Sequence, residues 1–265
     1  MLNYIRAEFY KLLHRKYTYI TLGVFLLLEG LLVAMFTFHN AHSLPTPFAN
    51  AVLIIVGIGD LNGLGAIGFC TCLLTADIVF AGQYKNSTLK NEVSFGLSRP
   101  KIYLGKLAAQ TLLSIAYLVI MMGFYLGACA AVLPLGPDAA HFSAPEALAI
   151  VGWYLAVGLP LWIGAQAAAC MCQFLIQGDM ASSIAYMCII FVLEGVLTLI
   201  ALIAGGRVET VLTRICEHFP GPVLEGSKAT VGLWSYLGKA WLVGAFWVAA
   251  CTAIGLYGFH KREIK

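Results

Sequence analysis

Six long apolar runs constrain the fold of this chain, because each is long enough to cross a membrane as a helix. A hydrocarbon core about 30 Å thick requires about 20 residues of α-helix. The runs cover residues 17–38, 51–80, 107–133, 148–176, 180–204 and 233–259. The chain has 265 residues, 60% of them hydrophobic and 11% charged, which is more apolar surface than one water-soluble core can hide. The sequence predicts an all-α integral membrane protein with one transmembrane domain over 1–265.

Lysine and arginine residues are unevenly distributed between the apolar runs. Of the 16, four lie in 1–16, five in 83–106 and three in 261–265, whereas the connections 39–50 and 134–147 contain none. Short loops rich in Lys and Arg remain on the cytoplasmic side of a membrane. We therefore expect both termini and the segment 83–106 to be cytoplasmic. The net charge of +3 gives no indication of nucleic-acid binding.

Residues 1–16 have the pattern of an amphipathic helix. Apolar side chains share one face, namely Leu2, Ile5, Phe9, Leu12 and Leu13. Basic side chains share the other, namely Arg6, Lys11 and Arg15. This pattern is typical of a helix that lies in the membrane interface and contacts lipid headgroups. The alternative is a charged flank that only sets the topology.

Two further segments depart from a plain membrane span. The second run contains five glycines between 57 and 68, with Asp60 and Asn62 among them, which predicts a broken helix or very close packing. Residues 205–232 form the longest segment expected outside. Apolar residues recur there at helical spacing, at Val208, Val211, Leu212 and Ile215. A Phe-Pro-Gly-Pro stop follows at 219–222, so we expect a short helix at the outer leaflet.

Polar residues within apolar runs are candidates for function, since charges at membrane depth are costly. Glu29, Asp60, Asn62 and Glu194 are the candidates for a substrate pathway. Asp77 lies near the cytoplasmic end of its run. The alternative is that these side chains only hydrogen-bond between helices.

Catalytic and metal sites are poorly supported. Gly57-Ile58-Gly59-Asp60 matches the GxGD pattern of intramembrane aspartyl proteases, but Asp77 is roughly 25 Å further along a continuous helix and cannot complete a dyad. The thiols of the Cys70/Cys72 and Cys170/Cys172 pairs point apart on a helix. No phosphate-binding GxxxxGK[ST] loop is present, so we expect no ATP hydrolysis and no cofactor bound by this chain.

The segment 83–106 carries the motifs that connect the chain to a known family. These are Thr88-Leu89-Lys90, Gly96-Leu97-Ser98-Arg99 and Lys101-Ile102-Tyr103-Leu104-Gly105-Lys106. With the amphipathic amino terminus and six predicted spans, they resemble the type-2 ABC transporter permeases, most closely the half-size bacterial permeases of peptide-antibiotic and lantibiotic immunity and export. The family often has Glu at the start of this loop, where this chain has Gln83. Glu92 lies nearby as a candidate substitute.

The resemblance implies that 83–106 forms a coupling helix in a groove of a separate ABC ATPase, which binds ATP and Mg²⁺. Leu89, Val93 and Leu97 form an apolar stripe that suits such docking, with Lys90, Arg99 and Lys101 as its rim. By the same likeness Asp179 is a second contact, and 205–232 caps the exit. The alternative is a solvated basic loop.

The predicted function is therefore that of an exporter permease in the bacterial cytoplasmic membrane. Its partners would be an ABC ATPase, a second permease copy or related permease, and membrane lipids. The substrate would be amphipathic, such as an antimicrobial peptide or a drug-like compound. A competing prediction is an ion- or proton-coupled secondary transporter or channel that uses Glu29, Asp60 and Glu194. An intramembrane protease is a third.

Overall fold

The computed structural model describes residues 2–42, 47–57, 63–81, 83, 88–134, 143–176 and 178–261, and all regular structure within them is helical. The helices, in chain order, are α1 (Leu2–Leu13), α2 (Lys16–His42), α3 (Phe48–Gly57), α4 (Gly63–Phe80), α5 (Thr88–Ser94), α6 (Arg99–Val132), α7 (Ala144–Leu175), α8 (Asp179–Met187), α9 (Leu193–Ala204), α10 (Gly206–Cys216), α11 (Pro220–Gly226) and α12 (Trp234–Lys261). A π-helical turn (Cys188–Val192) joins α8 to α9, and a 3₁₀ turn (Ser227–Thr230) follows α11.

Five helical stretches of the described chain are long and apolar enough to span a membrane. They are Lys16–His39, Arg99–Val132, Ala144–Leu175, Met180–Ala204 and Trp234–Lys261. Each overlaps one of the predicted spans. The second predicted span corresponds to α3 and α4. Residues 58–62, with Asp60 and Asn62, lie outside the described residues, so the predicted break there stays a prediction.

The start of α6 corrects the sequence prediction for the third span. That span was expected to begin at 107, but α6 already begins at Arg99, with Pro100 in its first turn. Proline is favoured there, since its missing N–H has no partner to lose in the first turn of a helix. Lys101 and Lys106 are therefore residues of a helix and not of a loop.

The centre of the bundle is α7. Every residue of α7 from Gly164 to Phe174 is buried. Its closest approach to α12 depends on glycine, because a Cβ at Gly244 would lie 2.5 Å from the carbonyl carbon of Pro160. Small residues allow two helix backbones to approach in this way within a membrane.

The two ends of the bundle carry different short helices. At one end α1 and α5 flank the start of α6, and the end of α12 lies beside them. At the other end lie α10 and α11. The helix predicted within 205–232 is present as α10, with Val208, Val211 and Ile215 exposed, and its place at the outer leaflet stays a prediction. Pro220, expected only to stop a helix, also begins α11, whose Val223 and Leu224 are buried.

Candidate functional site

Gln83 sets the position of α5. Its side chain is buried, and its Nε2 donates to the carbonyl oxygen of Val79 at 2.7 Å. The backbone carbonyl of Gln83 accepts a hydrogen bond from the N–H of Thr88 at 3.1 Å. The Gln83 side chain therefore bonds the last turn of α4, and its backbone carbonyl bonds the first residue of α5.

A buried charge cluster joins α1, α5 and α6. Its members are Tyr4, Glu8 and Lys11 of α1, Glu92 of α5, and Lys106 of α6. The Lys106 ammonium group is fully buried and lies 3.4 Å from carboxylate oxygens of both Glu8 and Glu92. The cluster pairs two lysines with two carboxylates, so their formal charges balance.

The remaining contacts of the cluster come from α1. Lys11 lies 2.6 Å from Glu8 and 3.6 Å from Glu92. The Tyr4 hydroxyl donates to Glu92 Oε2 at 2.9 Å. The Tyr4 ring occupies the space beside Gly105, where a Cβ would lie 2.3 Å from a ring carbon. Helix α1 is therefore held against both α5 and the first turns of α6.

The pKa values within α1 show how strongly these groups interact. Burial raises the pKa of the Glu8 carboxyl, but the ammonium groups of Lys106 and Lys11 outweigh it and hold this pKa below its usual range. Burial lowers the pKa of Lys11, and the Glu8 and Glu92 carboxylates together raise it above its usual value. Burial, and then the charges of Glu8 and Glu92, raise the pKa of Tyr4, which stays a neutral donor.

The orientation of α5 corrects the predicted docking face. Leu89 is only 5% exposed and packs in the core of this chain, with Val93 and Leu97 partly buried against the same core. The stripe therefore packs against the core of this chain. The surface that α5 and the turn after it present to solvent consists of Lys90, Asn91, Ser94 and Phe95. Phe95 is 86% exposed, and Gly96 ends the segment at φ +83°.

Arg99 also has a different place from the one predicted. Its guanidinium donates to the carbonyl oxygens of Phe259, at 2.7 Å, and His260, and it stacks over the Phe259 ring. It therefore caps the last turn of α12 rather than forming a rim around Leu89. Lys101 is exposed. Asp179 begins α8, and its side chain lies outside the described residues.

A buried polar network lies deeper in the bundle and joins α4, α6 and α7. Gln110 Nε2 donates to the backbone carbonyl of Gln166 at 3.2 Å. Ser114 donates to Thr75 at 2.7 Å and accepts from the Gln166 amide. All four side chains are buried. Near the same end of α4, Asp77 accepts hydrogen bonds from Gln173 and Ser183, so it ties α4 to α7 and α8.

A cavity of about 360 Å³ lies between α2, α4, α6, α7 and α11. Glu29, the middle residue of α2, lines it among apolar and aromatic side chains. Glu194 does not line this cavity. It lies beside Gly221 of α11, where an added Cβ would be 3.3 Å from Glu194 Oε2. Of the predicted pathway residues that the structure describes, only Glu29 lines this cavity. In the described part of the chain no cluster of three or more His, Cys, Asp or Glu residues is suited to a metal ion.

The sequence model of a family described as ABC-2 family transporter protein matches residues 4–194. This match spans more than half of the 265 residues. The chain belongs to the ABC-2 transporter family. It is thus a permease-type membrane component and not itself the ATPase, and family membership implies an ABC ATPase partner in general. Comparison with curated proteins finds no match.

Within this ABC-2 permease, sequence reasoning missed the most connected residues of the site. Glu8 and Tyr4 were not singled out, and Lys106 was named only as a basic residue and a motif residue of the segment 83–106. One signal was available for Glu8. Glu8 is the sole acid in 1–16 and lies one turn before Leu12 on the same side of the helix. A carboxylate on that apolar side needs a buried partner. No signal in the sequence linked it to Lys106.

Proposed function

We propose that this ABC-2 chain is the permease subunit of an exporter in the bacterial cytoplasmic membrane, with both termini in the cytoplasm. A separate ABC ATPase would bind ATP and Mg²⁺. A second copy of this chain, or a related permease, would complete the transport unit. The expected substrate is an amphipathic compound, such as an antimicrobial peptide or a drug-like molecule.

The observation that carries this proposal is the way α5 is held. A short helix between two spans has few contacts of its own, yet α5 is tied through Glu92 to Lys106 of α6 and Tyr4 of α1. The outer surface of α5 and the turn after it carries a cation, Lys90, and an aromatic side chain, Phe95. An exposed aromatic residue with a polar surround is the composition expected of a docking surface. We assign ATPase coupling to this surface.

A mechanism follows from the same contacts. When the ATPases close on ATP, their movement would displace α5, and the ion pairs of the charge cluster would carry α1 and the base of α6 with it. The buried network of Gln110, Ser114 and Gln166 would then transmit the displacement from α6 to α7 and α4. Packed helices with discrete arrangements convert such small shifts into rigid-body movement.

Changes on the outer surface of α5 test this assignment. The permease would be co-expressed with the ABC ATPases of its source genome, and complex formation would be measured by affinity co-purification. We expect Phe95→Asp and Lys90→Glu to lose the complex, since truncating a central aromatic contact costs about 2 kcal/mol or more. Stimulation of ATP hydrolysis by the permease should fall in parallel.

Val211→Asp provides the matched control. It places the same charge at an exposed apolar position, but on α10 at the other end of the bundle. It should leave the complex intact. Each variant is first checked by size-exclusion chromatography for a monodisperse protein. An unchanged complex and unchanged ATPase stimulation with Phe95→Asp would refute the coupling role of α5.

The competing function, an ion- or proton-coupled transporter or channel, is less well supported. It requires intramembrane acids that act together, and Glu29 and Glu194 do not share the cavity. Asp60, the third acid, lies outside the described residues. Transport by the purified chain in liposomes without any ATPase would favour this alternative. The protease hypothesis would need Asp77 as the second catalytic acid. Asp77 instead accepts hydrogen bonds from Gln173 and Ser183, which gives it a structural role.

A further inference from the structure

The cavity around Glu29 has the properties of a ligand site. Its volume of about 360 Å³ lies in the range of pockets for small organic molecules, about 300–1,000 Å³. Two of its lining residues, Leu28 and Leu159, are exposed on the surface of the bundle. That surface is apolar and belongs to helices long enough to span a membrane, so the cavity has an edge at the outer surface of the bundle.

The polar groups of the cavity wall, apart from Glu29, are largely satisfied within the protein. The Tyr117 hydroxyl donates to the carbonyl of Thr18, and the Tyr125 hydroxyl donates to the carbonyl of Ala51. The indole N–H of Trp162 donates to the carbonyl of Gly68. These aromatic residues therefore present ring surface to the cavity, while their donors point to backbone.

Glu29 is different. Its Oε2 atom is buried and has no hydrogen-bond partner among the described residues. The described lining of the cavity contains no Lys, Arg or His side chain. A carboxylate at the middle of a membrane span is costly unless a cation pairs with it. Aromatic ring faces around it add attraction for a cation and none for an anion.

We propose that the cavity is a binding site for an amphipathic organic cation, which places its charge at Glu29 and its apolar body against Tyr117, Tyr125 and Trp162. This inference deepens the proposed function. Only one part of it, that the bound cation is a transport substrate, rests on that function. Binding itself requires neither ATP nor a partner. A cation site at Glu29 would narrow the substrate class of the exporter to lipophilic cations.

Two ions of the same shape and opposite charge test the proposal. Tetraphenylphosphonium is the cationic probe, and tetraphenylborate is the anionic one. The purified full chain is placed in lipid nanodiscs, and saturable binding of radiolabelled tetraphenylphosphonium is measured by equilibrium dialysis against empty nanodiscs. We expect one saturable site per chain for tetraphenylphosphonium. Tetraphenylborate is measured in a separate dialysis, because the two ions form an insoluble salt when mixed, and it should show no saturable site.

Two variants probe the same site in different ways. Glu29→Gln keeps the shape of the side chain and removes its charge, so affinity should fall by roughly tenfold or more. Leu118→Trp fills the cavity while it keeps Glu29, and it should also abolish saturable binding. Glu209→Gln, which removes an exposed acid on α10, is the control and should bind like the unaltered chain.

The results separate this proposal from the proposed function. Equal affinity in Glu29→Gln, or equal binding of both tetraphenyl ions, would overturn the cation site. Neither result bears on the complex with the ATPase, which is measured separately through Phe95. Conversely, if Phe95→Asp leaves the complex with the ATPase intact, the coupling role fails, but binding of the cation at Glu29 is unaffected by that result.

Discussion

The Lys106 ammonium group lies 3.4 Å from the Glu8 carboxylate, although 98 positions separate these residues in the chain. Lys106 is fully buried and Glu8 is 3% exposed. Both charges are almost entirely shielded from solvent, so each depends on the other and on the neighbouring Glu92 and Lys11 for compensation. This arrangement makes the amino-terminal helix part of the transmembrane bundle and not a separate anchor.

Replacement of Lys106 by methionine should destabilise the protein severely. The variant leaves Glu8 and Glu92 buried with only the half-exposed Lys11 between them. Removal of one partner from a buried ion pair costs about 3–5 kcal/mol. Thermal unfolding of the detergent-solubilised protein measures the loss. Lys101→Met is the matched control, since Lys101 lies on the same helix and is exposed.

The double variant Lys106→Met/Glu8→Gln distinguishes charge from packing. It removes one buried cation together with one buried anion, so it should recover part of the stability lost in Lys106→Met. If the double variant is as unstable as the sum of its two single variants, the ion pair would not explain the effect.

Acid should release α1 from the bundle. The folded-state pKa of Glu8 is lowered, because Lys106 and Lys11 outweigh the effect of burial. A lowered pKa means that Glu8 stabilises the fold fully above its usual pKa of about 4.3, and that this contribution is lost as the pH falls through the folded-state value. Hydrogen-exchange protection of α1 amides, relative to those of α7, should therefore fall in acid.

Glu8→Gln is the control for this pH dependence. The amide cannot ionise, so protection of α1 in this variant should be lower at neutral pH and should change less in acid. Retention of the full acid response in Glu8→Gln would show that another group is responsible.

The apolar runs predicted most of the helices but not their partners. Hydropathy located four of the five described spans within a few residues at both ends, since each must be apolar along its whole length. It misplaced the start of α6, because Lys101 and Lys106 are charged and were assigned to a loop. A hydropathy profile does not show that a lysine can be buried when two carboxylates from other helices surround it.

The stripe of Leu89, Val93 and Leu97 illustrates a second limit. Its helical spacing correctly predicted that these side chains need an apolar cover. It did not identify the cover, and the structure shows these side chains packed against the core of this chain. The candidate role of Glu29 was predicted from its depth in a span, but its cavity is formed by five helices and becomes visible only when they are packed together.

Arg99 should hold the last turn of α12. Its guanidinium bonds the carbonyls of Phe259 and His260, which lie in the last described turn of that helix. Arg99→Ala removes a charged donor, and such hydrogen bonds contribute about 1.5–3 kcal/mol. We expect faster hydrogen exchange at the carboxyl end of α12. Lys101→Ala, two residues further along the same helix, should leave exchange there unchanged, and a uniform increase in both variants would argue against a specific cap.

A pair of glycines on α12 tests the close approach of α7. At Gly244 an added Cβ would lie 2.5 Å from the carbonyl carbon and oxygen of Pro160, which are backbone atoms and cannot rotate away. Gly244→Ala should therefore push the helices apart and cost about 1–3 kcal/mol. At Gly238 no atom lies within 4 Å of an added Cβ. Gly238→Ala should leave stability unchanged or raise it by up to about 1 kcal/mol, through reduced backbone freedom. Unfolding by titration with sodium dodecyl sulfate measures both variants, and equal midpoints would mean that the contact between α7 and α12 is looser than these distances indicate.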